Sequence, residues 1–270
     1  MKPKVTVVVP TINRGSLTDT LHSLELQTYK DFEVILVDDS AEQLVESSKH
    51  KVLRTGGLVG VSNARNLAMT EACTEFIALL DDDDKWHREH LERQITNFEN
   101  LSIDFSASSA LVNNHRRPSN LLQIGADPFE LLYGKPHLLR SKAYLPTSSY
   151  MFRAEIAKSI KFDTSIKDRE NLKFVREIFQ ASYKMYQDPV SSVVINYSAR
   201  NSLSRIDLAQ EVEWARYLGS LNSTWSDNFI IESSRNFIRN GEKRNAKLIM
   251  EMIHPKEKFL HKTILKILAL

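Results

Sequence analysis

Four consecutive carboxylates, Asp81 to Asp84, stand directly after the apolar run Phe76–Leu80. Packing four anions together is costly, because like charges repel and raise one another's pKa. A divalent cation relieves that cost, since hard cations take carboxylate oxygens. A second acidic pair, Asp38 and Asp39, ends another apolar run, and Thr11, Asn13 and Arg14 follow a third. One chemistry uses such a set together: the binding of a nucleotide diphosphate with a metal. A carboxylate accepts from a base N–H or from ribose hydroxyls, Arg offers a fork of donors to anionic or planar groups, and Mg²⁺ or Mn²⁺ is held by one or two carboxylates plus phosphates. The plain alternative is a solvated acidic turn whose last Asp caps a helix starting near His87.

The elements that must position these groups alternate along the chain. Val5–Val9 is β-branched and closed by Pro10; Phe32–Val37 and Phe76–Leu80 are short apolar runs of the kind buried in α/β sheets. Lys51–Thr55 reads as a short strand. Between them, Leu17, Leu21 and Leu24 repeat at helical spacing behind Ser16 and Asp19, which resemble a capping box. Ser62 suits the cap of a helix through Ala72, and Arg65 lies at its start; Leu91, Ile95 and Phe98 mark a third helix. This order predicts a mostly parallel sheet with helices on its faces. Ligands of such sheets sit beyond the carboxyl ends of the strands, which is where the acidic groups fall. Past Ser102 the reading is a strand over Ile103–Ala107, a polar loop over 113–120, a helix from Pro128 to Gly134, and a strand within Leu145–Phe152 carrying the hydroxyls of Thr147, Ser148 and Ser149. A helix from about Glu170 and a strand over Val190–Tyr197 follow, with helices alone from about Ile206.

The length, 270 residues, suits one large α/β domain or two smaller ones sharing a sheet. With 42% apolar and 26% charged residues the chain reads as globular, and a formal charge of +2 argues against nucleic acid as the main partner. Residues 235–270 carry nine Lys+Arg against three Asp+Glu, so the basic charge is concentrated in the tail. Cys73 is the only cysteine, which fits a reducing cytoplasm. The opening residues lack a signal-peptide core, and no run approaches the ~20 apolar residues of a spanning helix. The expectation is a cytoplasmic protein, soluble or peripheral at the inner membrane face.

The blocks Val5-Thr-Val-Val-Val-Pro-Thr-Ile-Asn-Arg14, Gln27-Thr28, Phe32-Glu-Val-Ile-Leu-Val-Asp-Asp-Ser40, Gly60-Val-Ser-Asn-Ala-Arg-Asn66 and Phe76-Ile-Ala-Leu-Leu-Asp-Asp-Asp-Asp-Lys-Trp86 come in this order. Together they resemble the ordered motifs of family 2 glycosyltransferases, closely over residues 5–100 and more loosely over 145–205. Five blocks in sequence are far more specific than a lone Asp-x-Asp. The resemblance implies a GT-A fold and an enzyme that inverts the transferred sugar. It implies nucleotide contacts at Pro10, Thr11, Asn13, Arg14, Asp39 and Arg65, with Asp39 toward the base. Asp81-Asp82-Asp83 would be the Asp-x-Asp element, Asp81 or Asp82 near the ribose and Asp83, with Asp81, holding Mn²⁺ or Mg²⁺. Trp86 is expected to pack under this loop.

Two departures from the family pattern stand out. The family commonly carries Glu-Asp at the start of the acceptor-side helix, the Asp acting as base. Here Ile166-Lys-Asp-Arg-Glu-Asn-Leu172 puts Asn171 at that place, and an amide takes no proton near neutral pH. Either Glu170 or Asp168 serves instead, or the site is catalytically weak; Glu170 also suits a helix N-terminus by charge alone. Second, Arg200 lies where many relatives carry a His that reaches the metal or diphosphate, and an Arg binds a diphosphate directly. His87 and His90, at i and i+3, read as a solvated helix face rather than a zinc pair. The tail Lys256–Leu270 is basic and amphipathic, suited to an anionic membrane, to the body or to a second copy.

These readings give a nucleotide-sugar-binding half at 1–110, an acceptor-binding half at 111–205 and a C-terminal helical extension at 206–270. The expected activity is inverting, metal-dependent transfer of a sugar from a nucleotide donor, UDP by family frequency, to a hydroxyl of a glycan, lipid-linked or protein acceptor. One rival is a non-catalytic sugar-nucleotide-binding scaffold, motivated by Asn171. The other is a sugar-phosphate nucleotidyltransferase, for which Thr11–Ser16 lacks the Gly-rich basic triphosphate loop.

Overall fold

The β-branched residues of the first apolar run form strand β1 (Val5–Thr11), buried along its whole length. The computed structural model describes residues 3–42, 45–117, 120–135, 143–195 and 207–254. After β1 come α1 (Leu17–Glu25), β2 (Phe32–Asp38), β3 (Lys51–Arg54), α2 (Val61–Glu71), β4 (Phe76–Leu79), β5 (Asp84–Trp86) and α3 (His90–Leu101). The chain continues through β6 (Phe105–Val112), β7 (His115–Arg117), α4 (Pro128–Tyr133), β8 (Met151–Arg153), α5 (Ile156–Ser159), α6 (Glu170–Gln180) and β9 (Met185–Ile195). It closes with α7 (Leu208–Leu221), α8 (Ser223–Arg239) and α9 (Lys243–Met250).

The sheet runs β3-β2-β1-β4-β8-β6-β9-β5, with β7 beside β6. Pairing is parallel from β3 to β4, as the βαβ alternation predicts, and mixed beyond. There β8 is antiparallel to β4 and β6, β9 parallel to β6, and β5 antiparallel to β9. The Asp81–Asp84 turn therefore carries the chain from β4, in the middle of the sheet, to β5 at its edge. Valines 5, 7 and 9 of β1 share one cluster with Leu17 and Leu24 of α1 and Leu91, Ile95 and Phe98 of α3. On other elements Phe152 of β8 meets Phe174 of α6, whose ring stacks on Phe162. Burying side chains of this size contributes roughly 1.5–3 kcal/mol each.

Several local expectations are corrected. Ser16 and Ser62 make no side-chain cap: the α1 N-cap Ser16 is itself helical, and α2 begins at Val61 after Gly60. Asp84 caps nothing, because α3 starts only at His90 while Asp84 lies in β5. Leu145–Phe152 is mostly not strand. Pro146 leads into a 3₁₀ turn, Thr147–Ser149, and only Met151–Arg153 pairs. The polar stretch after Val112 turns back as β7. His90 is not on a solvated face: it is fully buried, stacked on Trp86.

The described residues fall into two compact units, one within Met1–Pro128 and Ala143–Tyr197, the other within Phe129–Lys142 and Ser198–Leu270. In the second, the Phe129 ring meets Tyr133, Trp214, Tyr217 and Trp225 edge-on. The polar edges of this cluster are paired: Trp214 Nε1 donates to Tyr133 Oη at 3.1 Å, and Trp225 Nε1 to Glu130 at 2.8 Å. Among the described residues no helix is long and apolar enough to cross a membrane. Arg200 and the tail Lys256–Leu270 lie outside the described residues.

Candidate active site

β1, β2 and β4 end side by side, and their polar ends, with the first turn of α2, enclose a cavity of about 300 Å³. Pro10, Thr11, Ile12, Arg14, Asp39, Val61, Ala64, Arg65, Asp81, Asp82 and Asp83 line it. Eight of these are residues that the sequence points to. Val61, Ala64 and Ile12 were missed, although Val61 and Ala64 share a helix face with Arg65 and that spacing was there to read.

Each carboxylate has a different setting. Asp82 is buried and held by the chain itself: Thr11 Oγ1 donates to it at 2.6 Å, the Ile12 N–H at 3.3 Å and Arg14 Nη1 at 3.1 Å. The same Arg14 nitrogen donates to Asp83 at 2.8 Å. Burial raises the Asp83 pKa; Arg14 opposes this, while Asp81 and Asp82 add to it. Asp84 points inward, where burial and then Asp81 push its pKa up to about 8, and the Ser148 hydroxyl donates to it. Asp39 accepts from Thr55 Oγ1 at 2.5 Å and from the N–H groups of Val59 and Gly60, both at 2.9 Å. It thereby closes the loop Gly56–Gly60 over the start of α2, a loop whose positive φ angles at residues 56, 57 and 60 suit glycine.

Arg65, 3% exposed, joins two parts of the chain. Its Nη2 donates to Asp81 at 2.7 Å and its Nη1 to Glu170, the first residue of α6, at 2.8 Å. Burial works against its charge, but the two carboxylates outweigh that and raise its pKa. Its Nε–H is buried with no hydrogen-bond partner among the described residues. The other candidates stand apart from the cavity. Asp168 is exposed and pairs with Arg169. Asn171 donates to Tyr150 Oη at 3.4 Å, and that hydroxyl donates onward to the Leu145 carbonyl. Asn13 is exposed with φ 62°, its N–H on Thr11 Oγ1 at 2.9 Å.

Among the described residues no three His, Cys, Asp or Glu side chains form a metal cage. The donor set nevertheless suits a hard cation: four carboxylates, Asp81, Asp82, Asp83 and Glu170, share only the two guanidiniums of Arg14 and Arg65. Asp83 and Asp81 would hold such an ion with phosphate oxygens completing its shell.

Residues 6–163, more than half of the chain, match the profile of glycosyl transferase family 2. The chain belongs to this family. Its relatives include the putative teichuronic acid biosynthesis glycosyltransferase TuaG of Bacillus subtilis, 33% identical over 39% of this chain and 46% of its own length. Another is the UDP-Glc:alpha-D-GlcNAc-diphosphoundecaprenol beta-1,3-glucosyltransferase WfgD of Escherichia coli, 30% identical over 41% and 47%. The chain thus spans about half the length of these curated relatives. In fold it resembles S. aureus TarS 1-349 solved with UDP-GlcNAc, with TM-score 0.59, 19% identity, and 92% and 90% of the two chains covered. The α/β sheet with its C-terminal helices is the GT-A arrangement that the sequence motifs imply, and family membership disposes of the nucleotidyltransferase rival.

Proposed function

We propose that this protein transfers a sugar from a nucleotide diphosphate donor, with inversion, to a hydroxyl of a glycan, lipid-linked or protein acceptor. The supporting observation is the single cavity in which Asp39, Arg14, Arg65 and Asp81–Asp83 converge. Asp39 would receive the base, and its present partners, the N–H groups of Val59 and Gly60, hold the loop that frames it. Arg14 and the unpartnered Arg65 Nε–H would face the diphosphate, with Thr11 keeping Asp82 oriented. Mn²⁺ or Mg²⁺, when bound at Asp83 and Asp81, would draw off charge developing on the departing diphosphate. The name of WfgD supports UDP as the nucleotide and a lipid-linked acceptor. The lone Cys73 and the basic segment 235–270 support a cytoplasmic protein touching the inner membrane face or a second copy through its C-terminal helices.

The base that takes the acceptor's proton would be Glu170. It stands at the start of α6 and reaches the cavity through Arg65, whereas Asp168 faces solvent. One observation favours the rival scaffold reading: Glu170 is already engaged by Arg65, and Asn171 is turned to Tyr150. A thermal-shift panel of UDP, GDP and their sugars with and without Mn²⁺ tests the binding, since a ligand of the folded state raises the melting temperature. Transfer assays on wild type, Glu170→Gln and Asp168→Asn test the chemistry. Glu170→Gln should lose on the order of 10²-fold or more in turnover while still binding donor, and Asp168→Asn should stay near wild type. Nucleotide binding with no turnover in any of the three favours the scaffold; no nucleotide binding at all overturns both readings.

A further inference from the structure

The turn of four aspartates is braced by a residue from a distant stretch of chain. Ser148, in the 3₁₀ turn between α4 and β8, is 1% exposed. Its hydroxyl accepts from the backbone N–H of Asp81 at 3.2 Å and donates to the carboxyl of Asp84. Its carbonyl accepts from Trp86 Nε1 at 2.6 Å. The turn's own closing bond, from the Asp84 N–H to the Asp81 carbonyl, spans 3.2 Å. One hydroxyl therefore ties both ends of the turn, and its carbonyl anchors the strand that leaves it. The turn is itself fixed from below, because the Leu79 N–H donates to the Tyr150 carbonyl at 2.9 Å and Gln94 Nε2 to the Ser149 carbonyl at 3.3 Å.

We infer that Ser148 is a positioning residue for the donor and its divalent ion, and this rests on the sugar-nucleotide reading above. Three like charges on one turn, Asp81, Asp82 and Asp83, push it to open. The hydroxyl opposes that by holding the Asp81 backbone and burying Asp84 with a partner, so that Asp81 and Asp83 stay turned to the cavity and Asp81 stays on Arg65. Removing it takes a partner from the half-buried Asp81 N–H and from the buried Asp84 carboxyl, at the two ends of the turn. Ser149 supplies the control. It is equally buried in the same 3₁₀ turn, but its hydroxyl donates to the Pro146 carbonyl at 2.7 Å, away from the aspartates.

The test is calorimetric titration of wild type, Ser148→Ala and Ser149→Ala with UDP, with and without Mn²⁺, beside thermal unfolding of each. Ser148→Ala should weaken Mn²⁺-dependent UDP binding by roughly tenfold or more, the usual cost of losing a residue that orients metal-binding groups. Ser149→Ala should stay within about twofold at a comparable change in melting temperature. In transfer assays the donor KM should rise in Ser148→Ala with the acceptor KM unchanged, a split that general loosening does not produce. Where Ser148→Ala is too unstable to purify, Ser148→Cys keeps the bulk, weakens the bond and serves in the same comparison. Binding in the Ser148 variant as tight as wild type, or an equal loss in Ser149→Ala, overturns the inference. A wild type that binds no UDP overturns instead the reading on which it rests.

Discussion

A guanidinium buried between two carboxylates has no water to take over if a partner is lost. Replacing Arg65 by Gln leaves Asp81 and Glu170 without their counter-charge, and breaking a buried pair from one side costs about 3–5 kcal/mol. Urea unfolding should show that loss, and Arg65→Lys should recover only part of it, since a point charge cannot reach both partners as a fork does. Asp84 gives a pH signature of its own. Its folded pKa, about 8, lies above the ordinary 3.8, so folding takes up a proton between these values. Without divalent ion, the contribution of Asp84 to stability should therefore be full below about pH 4 and be lost as the pH rises to about 8, and Asp84→Asn should remove that component from melts across the range. What was legible at this scale is which residues gather: Arg14, Asp39, Arg65 and Asp81–Asp83 all line one cavity. What identical side chains could not reveal was their division of labour. It follows from the entry into β5, which buries Asp84 and leaves Asp83 at the cavity. The pairing of Arg65 with Glu170, far along the chain, is tertiary and leaves no local trace.

Elements were legible where periodicity was long. The three strands that end at the site and the helices α1, α2, α3 and α6 follow their hydrophobic spacing to within a few residues. β5 and β7, three residues each, are too short to show a period, and Pro146 with the buried serines made a 3₁₀ turn resemble a strand. β9 contains Pro189 and shifts register against β6 between Ser108 and Ala110, a bulge that hid its first half. α3 is seated by His90, whose Nδ1 lies 2.8 Å from Ser192 Oγ. Burial, with Arg93 and His87 nearby, lowers its pKa from 6.5 to about 3. The neutral ring is thus the folded form. Stability from this residue is full above pH 6.5 and is lost as the pH falls from 6.5 toward 3. Acid titration of unfolding should show this loss in wild type, and His90→Gln should remove that component.

At the scale of the molecule, the helical extension expected from residue 206 also recruits α4, whose Phe129 centres its aromatic cluster. A contact between segments so far apart in sequence is invisible to composition and periodicity. The tryptophans happen to divide the same way: Trp86 in the unit that holds the site, Trp214 and Trp225 in the other. Phe129→Ala should cost about 3–5 kcal/mol, and the loss should register in the fluorescence of Trp214 and Trp225 while a Trp86 probe, isolated by replacing the other two, shifts less. Equal shifts in both probes would mean the two units unfold as one.

The bridge made by Arg65 also sets a rule of inheritance. Because one side chain satisfies Asp81 and Glu170 together, a change at Arg65 strands both carboxylates and a change at either carboxylate leaves Arg65 short of a partner, so drift at these positions is costly unless concerted. Across an alignment of descendants, positions 65, 81 and 170 should be kept or replaced as a trio, whereas Asp168, which answers only to its neighbour, should wander freely.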